Sequence, residues 1–121
     1  KQDSNCIFLK KYINNDHMSL HYDNNFSVGI RYTIIIPIYE NNYNVSKLII
    51  SDKYKRLHVI HIPLGKAIIY DGSKIHHGVS VQSLKGIRTS LILHMYNNKQ
   101  FSTFGKLRKY VSDIAFKVFA L

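Results

Sequence analysis

The sequence predicts a mainly all-β domain that ends in an amphipathic helix, and three observations support this fold class. The chain has 121 residues, the size of a single domain. Its hydrophobic fraction of 45% is enough for a packed core and too high for a disordered chain. Short β-rich segments alternate with turn residues at regular spacing, which is typical of an antiparallel barrel or sandwich. We expect one domain over residues 1–121, with a β-rich core over 6–96 and a helix over 101–121.

Eight strands follow from runs of β-branched and aromatic residues that are bounded by Asn, Asp, Gly or Ser. In chain order the predicted strands are 6–12, 19–23, 27–39, 46–51, 57–62, 66–70, 75–81 and 87–96. The run 27–39 has the strongest strand signal. Pro37 within it predicts a bend or an edge position, because proline cannot donate a hydrogen bond to a neighbouring strand.

The last segment of the chain has a helical period instead. Its apolar residues recur at spacings of three and four and are Phe104, Leu107, Val111, Ile114, Val118 and Leu121. This pattern predicts an amphipathic helix over 101–121. Packing against the outside of the sheet is the simplest role for it, and binding to a membrane surface or a partner is the alternative.

The charge is strongly basic, with 17 Lys and Arg against 7 Asp and Glu. A net charge of +10 suggests a nucleic-acid partner. However, 13 of the basic residues are dispersed lysines, whereas readers of phosphate more often cluster Arg with stacking aromatics. The abundance of Lys, Ile, Asn and Tyr also fits A- and T-rich codons. Nucleic acid therefore stays an alternative, and no uncharged run is long enough for a membrane span.

The single cysteine, Cys6, excludes an internal disulfide and a Cys-rich zinc site. A metal site must therefore come from the seven His and the few acidic residues. One cysteine and no leader pattern favour an intracellular compartment. Because the chain does not begin with Met, we expect it to belong to a longer protein.

Two short segments carry metal-ligand chemistry. His21 and Asp23 are two residues apart, and such residues in an extended segment point to the same side. A second segment contains His76 and His77, either of which could supply a third ligand. Two His and one carboxylate form the facial triad of non-haem Fe(II) oxygenases. Zinc is the rival metal for these ligands.

Arg88 is unusual because it stands near the start of an apolar strand, with Ser90 on the same face. A buried guanidinium is costly unless an anion meets it, and a carboxylate is the natural partner. Since the chain has only 7 acidic residues, we expect a ligand to supply that carboxylate. Simple zinc hydrolysis does not require a buried arginine that binds a carboxylate.

These segments resemble the 2-oxoglutarate- and Fe(II)-dependent dioxygenases, and within that superfamily the prolyl and lysyl hydroxylase branch. The resemblance spans about residues 8–96 and keeps the order of the family's motifs and, apart from one interval described below, their spacing. Its motifs are His-Tyr-Asp at 21–23, Pro-Leu-Gly-Lys-Ala-Ile-Ile-Tyr at 63–70, His-Gly-Val at 77–79 and Gly-Ile-Arg-Thr-Ser-Leu at 86–91.

The resemblance implies a double-stranded β-helix, or jelly roll. It implies Fe(II) as the metal, 2-oxoglutarate as the cosubstrate and ascorbate as a further cofactor. The reaction it implies is hydroxylation of a prolyl or lysyl side chain of a protein or peptide, with release of succinate and CO₂. The implied metal ligands are His21, Asp23 and His77, since the family's His-Gly-Val pattern favours His77 over His76. The implied 2-oxoglutarate ligands are Arg88, Ser90 and Tyr12, although Tyr12 could equally be a core residue.

The chain also departs from the family pattern. Val45-Ser46 stand where the family usually carries Gly-Gly, and the spacing from His77 to Arg88 is one residue longer than usual. His94 stands where the nucleic-acid dealkylase branch has a second Arg, which weighs against base repair. A dioxygenase of nucleic acid or of a small molecule, and a non-catalytic jelly-roll binding module, remain the alternatives.

A reactive metal site also needs shielding by apolar side chains. The residues predicted to form an apolar wall over the site are Ile34, Ile36, Ile68 and Leu91.

Overall fold

The computed structural model describes residues 6–23 and 31–96, which form eight β-strands. The strands are β1 (Cys6–Tyr12), β2 (Met18–His21), β3 (Arg31–Glu40), β4 (Leu48–Ser51), β5 (Leu57–Ile60), β6 (Ile68–Asp71), β7 (His76–Val79) and β8 (Arg88–Tyr96). The all-β prediction is confirmed for these residues. The helix predicted over 101–121 lies outside them. Within the described ranges, no helix is long and apolar enough to cross a membrane.

The strands form two four-stranded antiparallel sheets. The first sheet has the order β1-β8-β3-β6 and the second has the order β2-β7-β4-β5. The antiparallel pairs β1–β8, β2–β7, β3–β6 and β4–β5 are those of one long hairpin folded back on itself. This strand order is consistent with the predicted jelly roll.

Pro37 occupies a place in β3 that suits a residue without an N–H group. β3 pairs with β6 only from Tyr32 to Ile35, so Pro37 has a neighbouring strand on one side alone, where it pairs with Ser90 of β8. The register with β8 shifts between Pro37 and Tyr39. Both the edge position and the local irregularity agree with the sequence prediction.

The hydrophobic core lies where the two sheets face each other. Its buried members are Ile35, Leu48, Ile62 and Tyr70, and the partly buried residues packed against them are Ile50, Ile60, Ile68 and Ile75. Because both sheets contribute residues to this cluster, burial of these side chains holds the sheets together.

The predicted apolar wall over the site is wrong for three of its four members. Ile36 pairs with Leu91, and Leu91 pairs with Leu9, which is 64% exposed. Cross-strand partners share a face of a sheet, so these residues lie on the outer face, opposite Arg88. Ile34 is two residues from Ile36 and lies on that outer face too. The fourth residue, Ile68, packs against the hydrophobic core.

Candidate functional site

Three side chains that the sequence singled out converge at one end of the second sheet. His21 of β2 and His77 of β7 are cross-strand partners, and their ring centroids are 4.5 Å apart. Asp23 follows β2, and its Oδ1 atom is 3.6 Å from the Nε2 atom of each histidine. The ligand atoms all lie within 4.8 Å of one another. Metal bonds of about 2.0–2.2 Å place adjacent ligand atoms roughly 3 Å apart, so these three residues could hold a metal ion. We name His21, Asp23 and His77 the metal cluster.

Both histidines are oriented by the backbone. The Nδ1 atom of His21 is 2.8 Å from the carbonyl oxygen of Ser19, and Nδ1 of His77 is 2.8 Å from that of Ile75. A carbonyl only accepts, so each Nδ1 carries a proton, and Nε2 is the atom that each ring presents to Asp23 and to a metal. Such bonds are the usual partners of metal-binding histidines.

The structure also distinguishes His77 from its neighbour His76. Successive residues of a strand point to opposite faces, so only one of the two can join the cluster. The ring of His76 stacks on that of Tyr22 at 4.7 Å between centroids. His77, which is 5% exposed, is therefore the residue that β7 places beside Asp23.

Asp23 is held as a carboxylate by its surroundings. Its Oδ2 atom accepts a hydrogen bond of 2.6 Å from the hydroxyl of Thr33, and its backbone N–H donates to the carbonyl of Gly72 at 2.8 Å. Burial by itself would raise the pKa of Asp23, but the interactions with His77 and Thr33 outweigh it and keep that pKa well below its ordinary value. The group is therefore ionised, as a metal ligand must be.

Gly72 makes room for this arrangement. A Cβ atom at Gly72 would lie 2.1 Å from Oδ2 of Asp23 and 2.4 Å from Oγ1 of Thr33. No real Cβ atom tolerates such contacts, so any larger residue would displace the carboxylate or its hydrogen-bond donor. Glycine in the turn between β6 and β7 thus leaves the space that the Asp23 carboxylate and the Thr33 hydroxyl occupy.

His94 is a supporting residue that the sequence reasoning missed. Its Nδ1 atom is 3.2 Å from Oγ1 of Thr33, whose single proton is already donated to Asp23. The Nδ1–H group of His94 must therefore donate to Thr33, which gives a chain of hydrogen bonds from His94 through Thr33 to Asp23. Burial lowers the pKa of His94 to about 4, so the ring is neutral at pH 7. The period of two from Arg88 could have indicated that His94 shares its face.

Tyr70 joins the metal cluster to the core. Its ring meets that of His77 edge-on at 4.8 Å, and it packs with Ile35 and Leu48 in the core cluster. Its hydroxyl is buried and has no hydrogen-bond partner among the described residues. Burial, followed by the charge of Asp23, raises its pKa, so the hydroxyl stays protonated and can donate.

The predicted cosubstrate residues lie together in a second feature, which we name the Arg88 cleft. This cleft is narrow and partly open to solvent. Its lining residues are Tyr12, Ile35, Ser46, Leu48, Val79, Arg88, Ser90 and Ile92. Tyr12 and Arg88 are cross-strand partners, so pairing of β1 with β8 places the phenol beside the guanidinium. Two of the lining residues, Ile35 and Leu48, belong to the same core cluster as Tyr70.

Arg88 is deeply buried in this cleft, with only 4% of its surface exposed. Its Nη1 atom donates to the carbonyl oxygen of Ser46. Within the described residues no carboxylate forms a salt bridge with Arg88. The charge of Glu40 acts to raise the pKa of Arg88, but the Glu40 carboxylate contacts His61 at 3.1 Å. Burial lowers the pKa of Arg88, yet arginine stays charged in proteins, so the cleft contains a cation that calls for an anionic ligand.

Comparison with known proteins identifies structures with a similar fold but does not identify a family. No family model and no curated protein matches the sequence. A prolyl-4-hydroxylase of Pseudomonas putida matches with a TM-score of 0.63 at 14% identity, over 76% of this chain and 52% of that protein. A non-heme monooxygenase, solved as a ThoJ–nickel complex, matches with a TM-score of 0.51 at 9% identity, over 78% of this chain and 43% of that protein. The chain therefore spans about half the length of these oxygenases and shares their fold.

Proposed function

We propose that this protein is a 2-oxoglutarate- and Fe(II)-dependent dioxygenase that hydroxylates a C–H bond. The observation that carries the proposal is the buried Arg88, which has no salt bridge to a carboxylate among the described residues. The cleft that it lines shares Ile35 and Leu48 with the core cluster, and Tyr70 of that core cluster contacts His77. A metal cluster alone would suit many reactions, but a buried cation in a cleft between the same two sheets indicates a ligand with a carboxylate remote from the metal.

In this proposal His21, Asp23 and His77 hold the metal. Two imidazoles and one carboxylate suit Fe(II) and leave other coordination positions for ligands. Zinc accepts the same donors, but a hydrolytic zinc site gives no reason for the Arg88 cleft. The hydrogen bonds at both Nδ1 atoms and the chain from His94 through Thr33 keep the three donors in place.

The Arg88 cleft binds the distal carboxylate of 2-oxoglutarate. Arg88 supplies the charge, and the hydroxyls of Ser90 and Tyr12 add hydrogen-bond donors. Burial raises the pKa of Tyr12 to about 12, so its phenol keeps the proton that it would donate. The aliphatic residues Val79 and Ile92 line the same cleft and reduce the contact of a bound carboxylate with water, which strengthens these electrostatic interactions.

Iron and 2-oxoglutarate, once bound, would supply the oxidation, with succinate and CO₂ as products and ascorbate as an auxiliary reductant. The role of the protein is to orient these groups and the substrate. We propose a prolyl or lysyl side chain of a protein as the substrate, because one structure with the same fold is a prolyl-4-hydroxylase. The net charge of +10 suits an acidic or extended peptide.

The proposal is tested by anaerobic titration of the purified protein with Fe(II) and 2-oxoglutarate. We expect a visible charge-transfer absorption band that is lost in His21→Ala and in Arg88→Ala. His17→Ala and Arg56→Ala change the same residue types at exposed positions and should keep the band. Absence of the band and of succinate release from the unaltered protein would refute the proposal and favour a non-catalytic binding module. Succinate release stimulated by nucleic acid but by no peptide would instead refute the protein substrate.

A further inference from the structure

The Arg88 cleft contains a hydroxyl group that no motif pointed to. Ser46 has no exposed surface, and its Oγ atom has no hydrogen-bond partner among the described residues. Buried hydroxyls are nearly always hydrogen-bonded, because an unpaired one is costly. Ser46 lines the cleft together with Arg88 and Ser90. The Ser46 hydroxyl is therefore an unpaired hydrogen-bond donor at the border of the cleft in which Arg88 would bind an anion.

The backbone of Ser46 is fixed on both sides. Its N–H group donates to Oε1 of Gln82 at 2.9 Å, and its carbonyl accepts from Nη1 of Arg88. Gln82 is itself without exposed surface and is tied by backbone hydrogen bonds to Asn15 and Asp16. The backbone of Ser46 is therefore held in place, and rotation about the Cα–Cβ bond is the movement that would turn the buried hydroxyl toward a ligand.

Ser46 also orients the guanidinium. One side of Arg88 is engaged by the Ser46 carbonyl, so the remaining N–H groups of Arg88 are left for a ligand. The same residue thus contributes an acceptor that positions the cation and a donor beside it.

We propose that Ser46 is an additional binding residue of the Arg88 cleft, whose hydroxyl donates a hydrogen bond to the distal carboxylate of 2-oxoglutarate. The inference rests on the proposed function and extends it to Ser46, whose contacts only the structure reveals. Carboxylate recognition then uses Arg88 with three hydroxyls, those of Tyr12, Ser46 and Ser90.

The test compares two ligands that differ only in the distal carboxylate. Binding of 2-oxoglutarate and of 2-oxobutyrate, which keeps the 2-oxo acid but lacks that carboxylate, is measured by anaerobic calorimetry on the Fe(II)-loaded protein. We expect Ser46→Ala to weaken 2-oxoglutarate binding about 10-fold or more, as for a hydrogen bond to a charged group, and to leave 2-oxobutyrate binding unchanged. The melting temperature of the metal-free variant should be unchanged or higher, because an unpaired buried hydroxyl has been removed.

Ser83→Ala is the matched control. The Ser83 hydroxyl is also buried without a partner among the described residues, but Ser83 does not line the cleft, so this variant should bind both ligands normally. Equal weakening of both ligands by Ser46→Ala would overturn the inference in favour of a packing role. Unchanged binding of both would overturn it and leave the proposed function standing. Failure of the unaltered protein to bind 2-oxoglutarate would overturn both.

Discussion

Thr33 offers the sharpest test of how the metal cluster is held. Thr33 is 2% exposed, and its hydroxyl donates to Oδ2 of Asp23 at 2.6 Å and lies 3.2 Å from Nδ1 of His94. Thr33→Val replaces the hydroxyl by a methyl group of similar size. Valine is as well suited to a strand as threonine, so the change removes two hydrogen bonds and little else.

The expected magnitude follows from those contacts. The Asp23 side chain is 11% exposed, so water can replace the lost donor only in part. A hydrogen bond to a charged group contributes about 1.5–3 kcal/mol, and we expect a loss of this order in the free energy of unfolding of the metal-free protein. Supporting partners of metal ligands typically change affinity about 10–100-fold. That range equals about 1.4–2.7 kcal/mol, which agrees with the contribution of one such bond.

Urea unfolding of the metal-free protein and calorimetric titration with Fe(II) under nitrogen measure the two effects. Thr89→Val is the control, because Thr89 lies in the same sheet on the strand that carries His94 but pairs with Lys11 and Tyr39 away from the metal cluster. Fe(II) affinity of Thr33→Val within a factor of two of the unaltered protein would refute the role of Thr33 in orienting Asp23.

Three further predictions follow from the described contacts. Gly72→Ala should abolish Fe(II) binding and destabilise the fold by about 1–3 kcal/mol, as forced overpacking does, and unchanged affinity in a metal titration would contradict the steric account. His77→Ala should lose Fe(II) binding whereas His76→Ala should keep it, and the reverse result in the same titration would assign the ligand to His76. Hydrogen bonding, first from His58, lowers the pKa of Asp52 from 3.8 to about 2, so ionised Asp52 stabilises the folded protein. Asp52→Asn should therefore lower the urea midpoint above pH 4, and the difference should vanish as the pH falls through about 2; a constant difference would contradict this assignment.

Much of the strand pattern could be predicted because it depends on residues that are close together in the sequence. The predicted bounds 6–12 coincide with β1, and the other predicted strands overlap β2 to β8 with ends that differ by a few residues. Turn residues and β-branched runs act over a few positions, so they need no knowledge of pairing. The period of two likewise places His21 with Asp23, and Arg88 with Ser90.

The supporting residues could not be predicted in the same way. Thr33, His94 and Ser46 carry no motif, and each gains its role from a partner far away in the chain. The misplaced apolar wall has a related cause. Ile36 and Leu91 are apolar residues next to inward-facing ones, and composition alone does not reveal which face of the sheet receives them.

By itself, then, the sequence determined the strands, the alternation of their faces and the pairs of polar residues that each face presents. Only the tertiary structure decided that β2 and β7 are neighbours, so that His21 and His77 meet at Asp23, and that β1 and β8 are neighbours, so that Tyr12 meets Arg88. The physical reason is that side-chain alternation is a property of one extended chain, whereas a ligand cluster or a buried ion's surroundings depend on the register between strands that are distant in sequence.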